Sequence, residues 1–211
     1  WSIKSGTGNF HGGANSVNYW LGTPYQFTLS QTIDNLSDGE YVLKAWASGG
    51  GGETSANLFV SGYGGNKLQS AITNTGWGRW VQYTIPGIQV TGGSAAIGFE
   101  VDAPGDKWGY FDDIEFYKVP SWNDAKVLAA TNVSATGLTL DWSGVDAPTQ
   151  VTGYRVFKDG SELGSTTGTS YEVSDLIPNT EYTFKVEAEN GSDLVSTSGP
   201  SLAVTTSEDS S

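Results

Sequence analysis

The 211-residue chain has no cysteine, no methionine and one histidine. Without cysteine there is no disulfide framework, thiolate nucleophile or cysteine-held zinc. A serine–histidine triad would have to use His11, which lies in a Gly-rich stretch (Asn9 to Gly13) with no strand-to-helix elbow around any serine. His11 therefore reads as a surface or packing residue. No run of about 18 apolar residues exists to cross a membrane as a helix. The start at Trp1, with neither methionine nor a basic, apolar leader, reads as a trimmed soluble fragment. Basic residues are few: ten Lys and Arg against 23 Asp and Glu give a net charge of −13. That balance repels phosphate backbones and anionic lipids, so nucleic acid and membranes are unexpected partners. Apolar residues at helical spacing are missing as well, because Gly or β-branched residues interrupt every window.

Aromatic residues and glycine are abundant instead, and they are unevenly spread. Residues 1–120 carry six of the eight Trp, seven of the ten Tyr and 21 of the 29 Gly. The remainder is the more acidic part, with thirteen Asp and Glu against four Lys and Arg. Two domains with different work are expected. In the first, strands are expected at 26–33, 40–48, 56–61, 80–85, 87–91, 95–102 and 109–118, with 35–39 (NLSDG) as a turn making the first two an antiparallel hairpin. Short strands at this spacing predict a jelly-roll β-sandwich, so the fold class is all-β throughout. Val119-Pro120-Ser121 ends the last strand, which sets the domains at 1–120 and 121–206, with a frayed polar tail at 207–211.

Seven strand patterns follow in about 85 residues after Trp122. Trp142 in the second strand, Tyr154 in the third and the run from Leu176 to Tyr182 make this half resemble fibronectin type III domains, an immunoglobulin-like sandwich. In such domains the tyrosine hydroxyl pins the turn before its strand. No ligand triplet marks this half, which reads as a spacer.

Chemistry is expected in the first half. Glycosidases need two carboxyl groups, and Glu100, Asp102, Asp106, Asp112, Asp113 and Glu115 are close in sequence. A domain of this size leaves little room for a deep cleft, and acidic residues on strands are most often solvated. The tryptophans carry more information. Alternation along 40–48 puts Leu43 and Trp46 on opposite faces. Trp77 and Trp80 flank Gly78-Arg79 in a turn signal, and Trp108 lies in another loop signal, Pro104 to Gly109. Such rings suit sugar recognition, because an indole stacks on the C–H face of a pyranose while charged neighbours bind its hydroxyls. The rival reading is that these tryptophans fill the core.

The segments 27–52, 58–65, 76–93 and 95–118 resemble carbohydrate-binding modules of family 61, which accompany family 53 endo-β-1,4-galactanases. GYFDDIEF (109–116) is similar to the closing strand of many jelly-roll modules. The resemblance implies a non-catalytic module, in a secreted, extracellular bacterial protein, that binds β-1,4-galacto-oligosaccharide or galactan and targets a parent catalytic domain. Trp46, Trp77, Trp108 and Tyr63 are expected as stacking platforms, with Lys44, Asn57, Arg79, Gln82 and Glu100 as hydrogen-bonding residues. The resemblance also implies a structural Ca2+ ion held through Asp112 or Asp113, and an opening strand upstream of Trp1. A small glycosidase or lyase, or a spacer pair that binds no sugar, are the alternatives.

Overall fold

Along residues 43–47, Leu43, Ala45 and Ala47 are buried while Lys44 and Trp46 between them stay partly open. This period of two marks a strand with one face in a core, and it recurs through the computed structural model, which describes residues 1–5, 9–74, 76–146, 151–190 and 195–209. The chain divides into Trp1–Lys118 and Val119–Ser211, each with its own core.

The first unit contains β1 (Ser2–Ser5), β2 (Asn15–Leu21), β3 (Tyr25–Asp34), β4 (Gly39–Gly49), β5 (Ser55–Ser61), β6 (Leu68–Ala71), β7 (Gly76–Val90), β8 (Ser94–Ala103) and β9 (Lys107–Lys118). They form two antiparallel sheets, ordered β1-β2-β9-β4-β7 and β3-β8-β5-β6. Phe99 from one sheet and Phe111 from the other stack with ring centroids 3.8 Å apart and join the layers. Burying rings of this size contributes about 2–3 kcal/mol each.

The expected β3/β4 hairpin does not form. β3 pairs with β8 along its whole length, from Tyr25↔Ala103 to Asp34↔Ser94, whereas β4 lies in the other sheet. Residues 35–38 carry the chain across the end of the sandwich. Leu36 donates its N–H to the Gly93 carbonyl and packs against the core, so the turn crosses between layers instead of folding back. The expected strands 80–85 and 87–91 are one strand, β7. Its register moves from Leu43↔Ile85 to Tyr41↔Ile88, and Gly87, at φ 69°, takes up the extra residue as a bulge. β1, β2 and β6 were not anticipated.

The second unit holds β10 (Ser121–Thr131), β11 (Leu138–Asp146), β12 (Gly153–Lys158), β13 (Ser161–Thr166), β14 (Ser170–Val173), β15 (Glu181–Glu189) and β16 (Ser201–Thr205). Sheets β10-β11-β14 and β13-β12-β15-β16 enclose Leu140, Trp142, Val156, Phe184 and Val186. The Tyr182 hydroxyl accepts the Ile177 N–H at 3.0 Å, the turn-pinning contact anticipated for it. Ser207 does not belong to a frayed tail. Its N–H donates to the Ser134 carbonyl and its own carbonyl accepts from Asn179. Residues 210–211 of that expected tail lie outside the described residues.

Candidate functional site: an aromatic sheet face

On the outer side of the sheet β1-β2-β9-β4-β7, cross-strand register gathers the first unit's rings. Residues directly opposite each other point to the same side. Trp46 faces Gln82 on β7 and Asp112 on β9, Ser48 faces Tyr110, and Trp108 faces Trp20 on β2. Their neighbours Ala45, Ala47, Phe111 and Tyr19 point into the core.

Between Ala47↔Val81 and Gly49↔Gly76 the β4·β7 register slips. β7 carries its surplus residues there, and Trp77 and Trp80 project from this stretch. Trp77 meets Trp108 at 5.6 Å between centroids and Tyr110 edge-on at 5.5 Å. Trp80 lies 6.4 Å from Tyr110. Trp77 is 57% exposed and Trp20 58%, and Trp46, Trp80 and Trp108 are half-buried. None of Trp46, Trp77, Trp80 and Trp108 belongs to the core, so the core-filling reading of them fails.

Glycine shapes this face as much as the rings do. A Cβ on Gly50 would sit 2.8 Å from Trp108 Nε1, so the bare backbone lets the indole lie against it. Burial raises the Tyr110 phenol above its ordinary pKa, keeping the ring neutral.

Beneath Gly49 and Gly51 lies a partly buried polar group. The Tyr19 hydroxyl donates to Glu53 Oε1 at 2.7 Å, and Asn74 Nδ2 donates to both at 2.9 Å. Burial, reinforced by Glu53, pushes the Tyr19 phenol far up. Burial, with the Glu53 charge adding to it, also pushes Tyr25 up to about 12.

Of the expected sugar contacts, Trp46, Trp77 and Trp108 share this face with Lys44 and Gln82. Arg79 is exposed on β7 between Trp77 and Trp80, and its side chain forms no hydrogen bond or ion pair among the described residues. Tyr63 requires correction as a platform. It is 5% exposed, packs in the core and donates its hydroxyl to the Asn66 carbonyl at 2.5 Å. Asn57 and Glu100 are also elsewhere, because β5 and β8 belong to the opposite sheet. There they line a polar groove of about 450 Å³ with Gln26, Thr28, Ser55 and Asp102. Glu100 is held by Lys67 at 2.5 Å and Gln69 at 3.0 Å.

Asp112 is buried, and Oδ2 accepts the N–H groups of His11 (2.7 Å) and Gly12 (3.2 Å) while Oδ1 accepts that of Asp113. Asp113 Oδ2 is 2.7 Å from His11 Nδ1. Calcium takes about six to eight oxygen ligands. Among the described residues no three His, Cys, Asp or Glu side chains converge, and Asp112 is met by donors.

Trp20, Tyr110 and His11 belong to this face but were not anticipated in it. Trp20 would have followed from alternation in Asn15–Leu21, with Tyr19 inward and Trp20 outward, had that strand been recognised between its glycines. Tyr110 lies two residues from Trp108 on the same strand, and the same argument finds it. Nothing in the local sequence marks His11, whose partners lie about 35 and 100 residues away.

Both units have relatives among known proteins. Residues 124–204 match the fibronectin type III domain family. Chitinase C of Streptomyces lividans is 27% identical over 154 residues, covering 67% of this chain and 25% of that protein. Chitinase D of Niallia circulans is 34% identical over 84 residues, 40% of this chain and 16% of that protein. The chain thus spans a quarter or less of these curated relatives. Among solved structures, TmCBM61 in complex with β-1,4-galactotriose is 32% identical, with a TM-score of 0.52, over 55% of this chain and 80% of that one. Through its first unit the chain therefore belongs to carbohydrate-binding module family 61, and a fibronectin type III domain follows.

Proposed function

We propose that the aromatic face of the first unit binds a β-1,4-linked galactan chain and so holds a parent hydrolase, outside the cell, against its polysaccharide. The observation that carries this reading is a band of rings, Trp46, Trp77, Trp80, Trp108 and Tyr110, on the outer side of a sheet whose inner side already has a complete core. Galactose suits such a surface, since its axial O4 leaves C–H groups gathered on one face of the ring. The galactotriose-bound relative supports the choice of sugar, and the kinship with chitinases supports an accessory role in a larger hydrolase. Tethering raises local concentration without adding any catalytic group.

Affinity electrophoresis through potato galactan, with xylan and laminarin gels as controls, tests the reading. Retardation in galactan alone is expected. Trp77→Ala and Trp108→Ala should each weaken binding about tenfold, the loss of one stacking contact. Unretarded migration of the wild type in galactan would refute it.

A further inference from the structure

We propose that His11 is a ligand-contacting residue of this face, its imidazole Nε2 exchanging a hydrogen bond with a hydroxyl of the sugar stacked beside it; this rests on the galactan reading above. The imidazole lies on Trp46 with centroids 3.8 Å apart and planes 15° from parallel, and meets Trp80 edge-on at 5.8 Å. It therefore covers one face of Trp46.

Its position is fixed from several sides. Opposite β4, the register of β9 moves from Glu115↔Lys44 to Asp112↔Trp46, and Asp113 sits in that bulge at φ 43°. The bulge brings consecutive carboxylates to the same loop. Asp112 takes the His11 and Gly12 backbone N–H groups and Asp113 takes Nδ1. Gly12 leaves room for this pairing, because a Cβ would come within 2.5 Å of the Asp113 carboxylate and displace it. Side chains otherwise lose rotamer freedom on binding, and a ring already held needs no such ordering. Yet the side chain remains about a third exposed, at 32%.

The chemistry of the exposed edge follows from the same contacts. A carboxylate accepts, so the proton sits on Nδ1 and Nε2 is left for another partner. Among the described residues Nε2 has none. A hydroxyl reader at the rim of a stacking surface answers to where an individual sugar hydroxyl points, in addition to the C–H face that the rings read. His11 is in this sense a specificity-determining residue.

The chain has a single histidine, so its imidazole nitrogen resonances are unambiguous. Titrating the full chain with β-1,4-galactotriose should move the Nε2 resonance with the same saturation curve as the tryptophan indole N–H signals. His11→Phe keeps a ring on Trp46 and should weaken galactotriose binding about five- to tenfold, the usual worth of one hydrogen bond. His11→Ala should weaken it further, and Trp108→Ala serves as the positive control for loss. An unmoved imidazole with shifting indoles, together with His11→Phe binding within twofold of wild type, overturns the role of His11 alone. If neither imidazole nor indoles respond in the wild type, the galactan reading falls and this one with it.

Discussion

Trp108 owes its place to a neighbour that has no side chain. Gly50 has an ordinary backbone, not a left-handed one, so alanine is allowed there except where its Cβ meets the indole. Gly50→Ala should tilt Trp108 and weaken galactan binding several-fold while leaving the unfolding midpoint of the first unit nearly unchanged; a binding curve beside a urea melt would check both. At this scale the sequence is legible where alternation or a flanking glycine exposes a ring, as for Trp46, Trp77 and Trp108. It misleads at Tyr63, whose glycine neighbours resemble an open loop although its hydroxyl is captured by Asn66 inside the sandwich. It is silent at His11, because stacking on Trp46 and pairing with Asp113 join the segment between β1 and β2 to strands distant in sequence.

Elements were easier to find than to connect. The strand candidates 40–48, 95–102 and 109–118 correspond to β4, β8 and β9, since their inward residues recur with period two. Pairing was not legible, because whether a turn folds back or crosses layers depends on what its residues bury, as Leu36 shows. Pro86 divided the expected strands 80–85 and 87–91, and the bulge at Gly87 joins them. The inward side of β2 also carries a titration. With the Tyr19 phenol raised in the folded state, its contribution to stability is whole below the unfolded value near pH 10 and is lost as pH rises above it. That loss amounts to about 1.4 kcal/mol per pH unit. Tyr25 adds to it up to about pH 12. Urea melts at pH 8, 10 and 11 should show the first unit weakening steeply above pH 10. Tyr19→Phe, less stable at pH 8 for want of its hydrogen bond, should show a shallower decline; equal slopes would refute the assignment.

For the whole molecule, fold class was the most legible property, since strand periodicity and absent helical spacing need no knowledge of pairing. The two halves differ in kind, as the uneven tryptophan content suggested. Each has a separate core, so a fragment beginning at Val119 should melt cooperatively by circular dichroism and run unretarded in galactan gels. Retardation of that fragment would move the sugar site out of the first unit. The aromatic band lies across an open sheet and is not enclosed in a cleft, and this has a consequence for the polymer. A glycan held from one side can be gripped anywhere along its length, with no free end to thread and with its opposite edge still open to attack by an enzyme. Branches pointing away from the rings would be tolerated, and those pointing toward them would not.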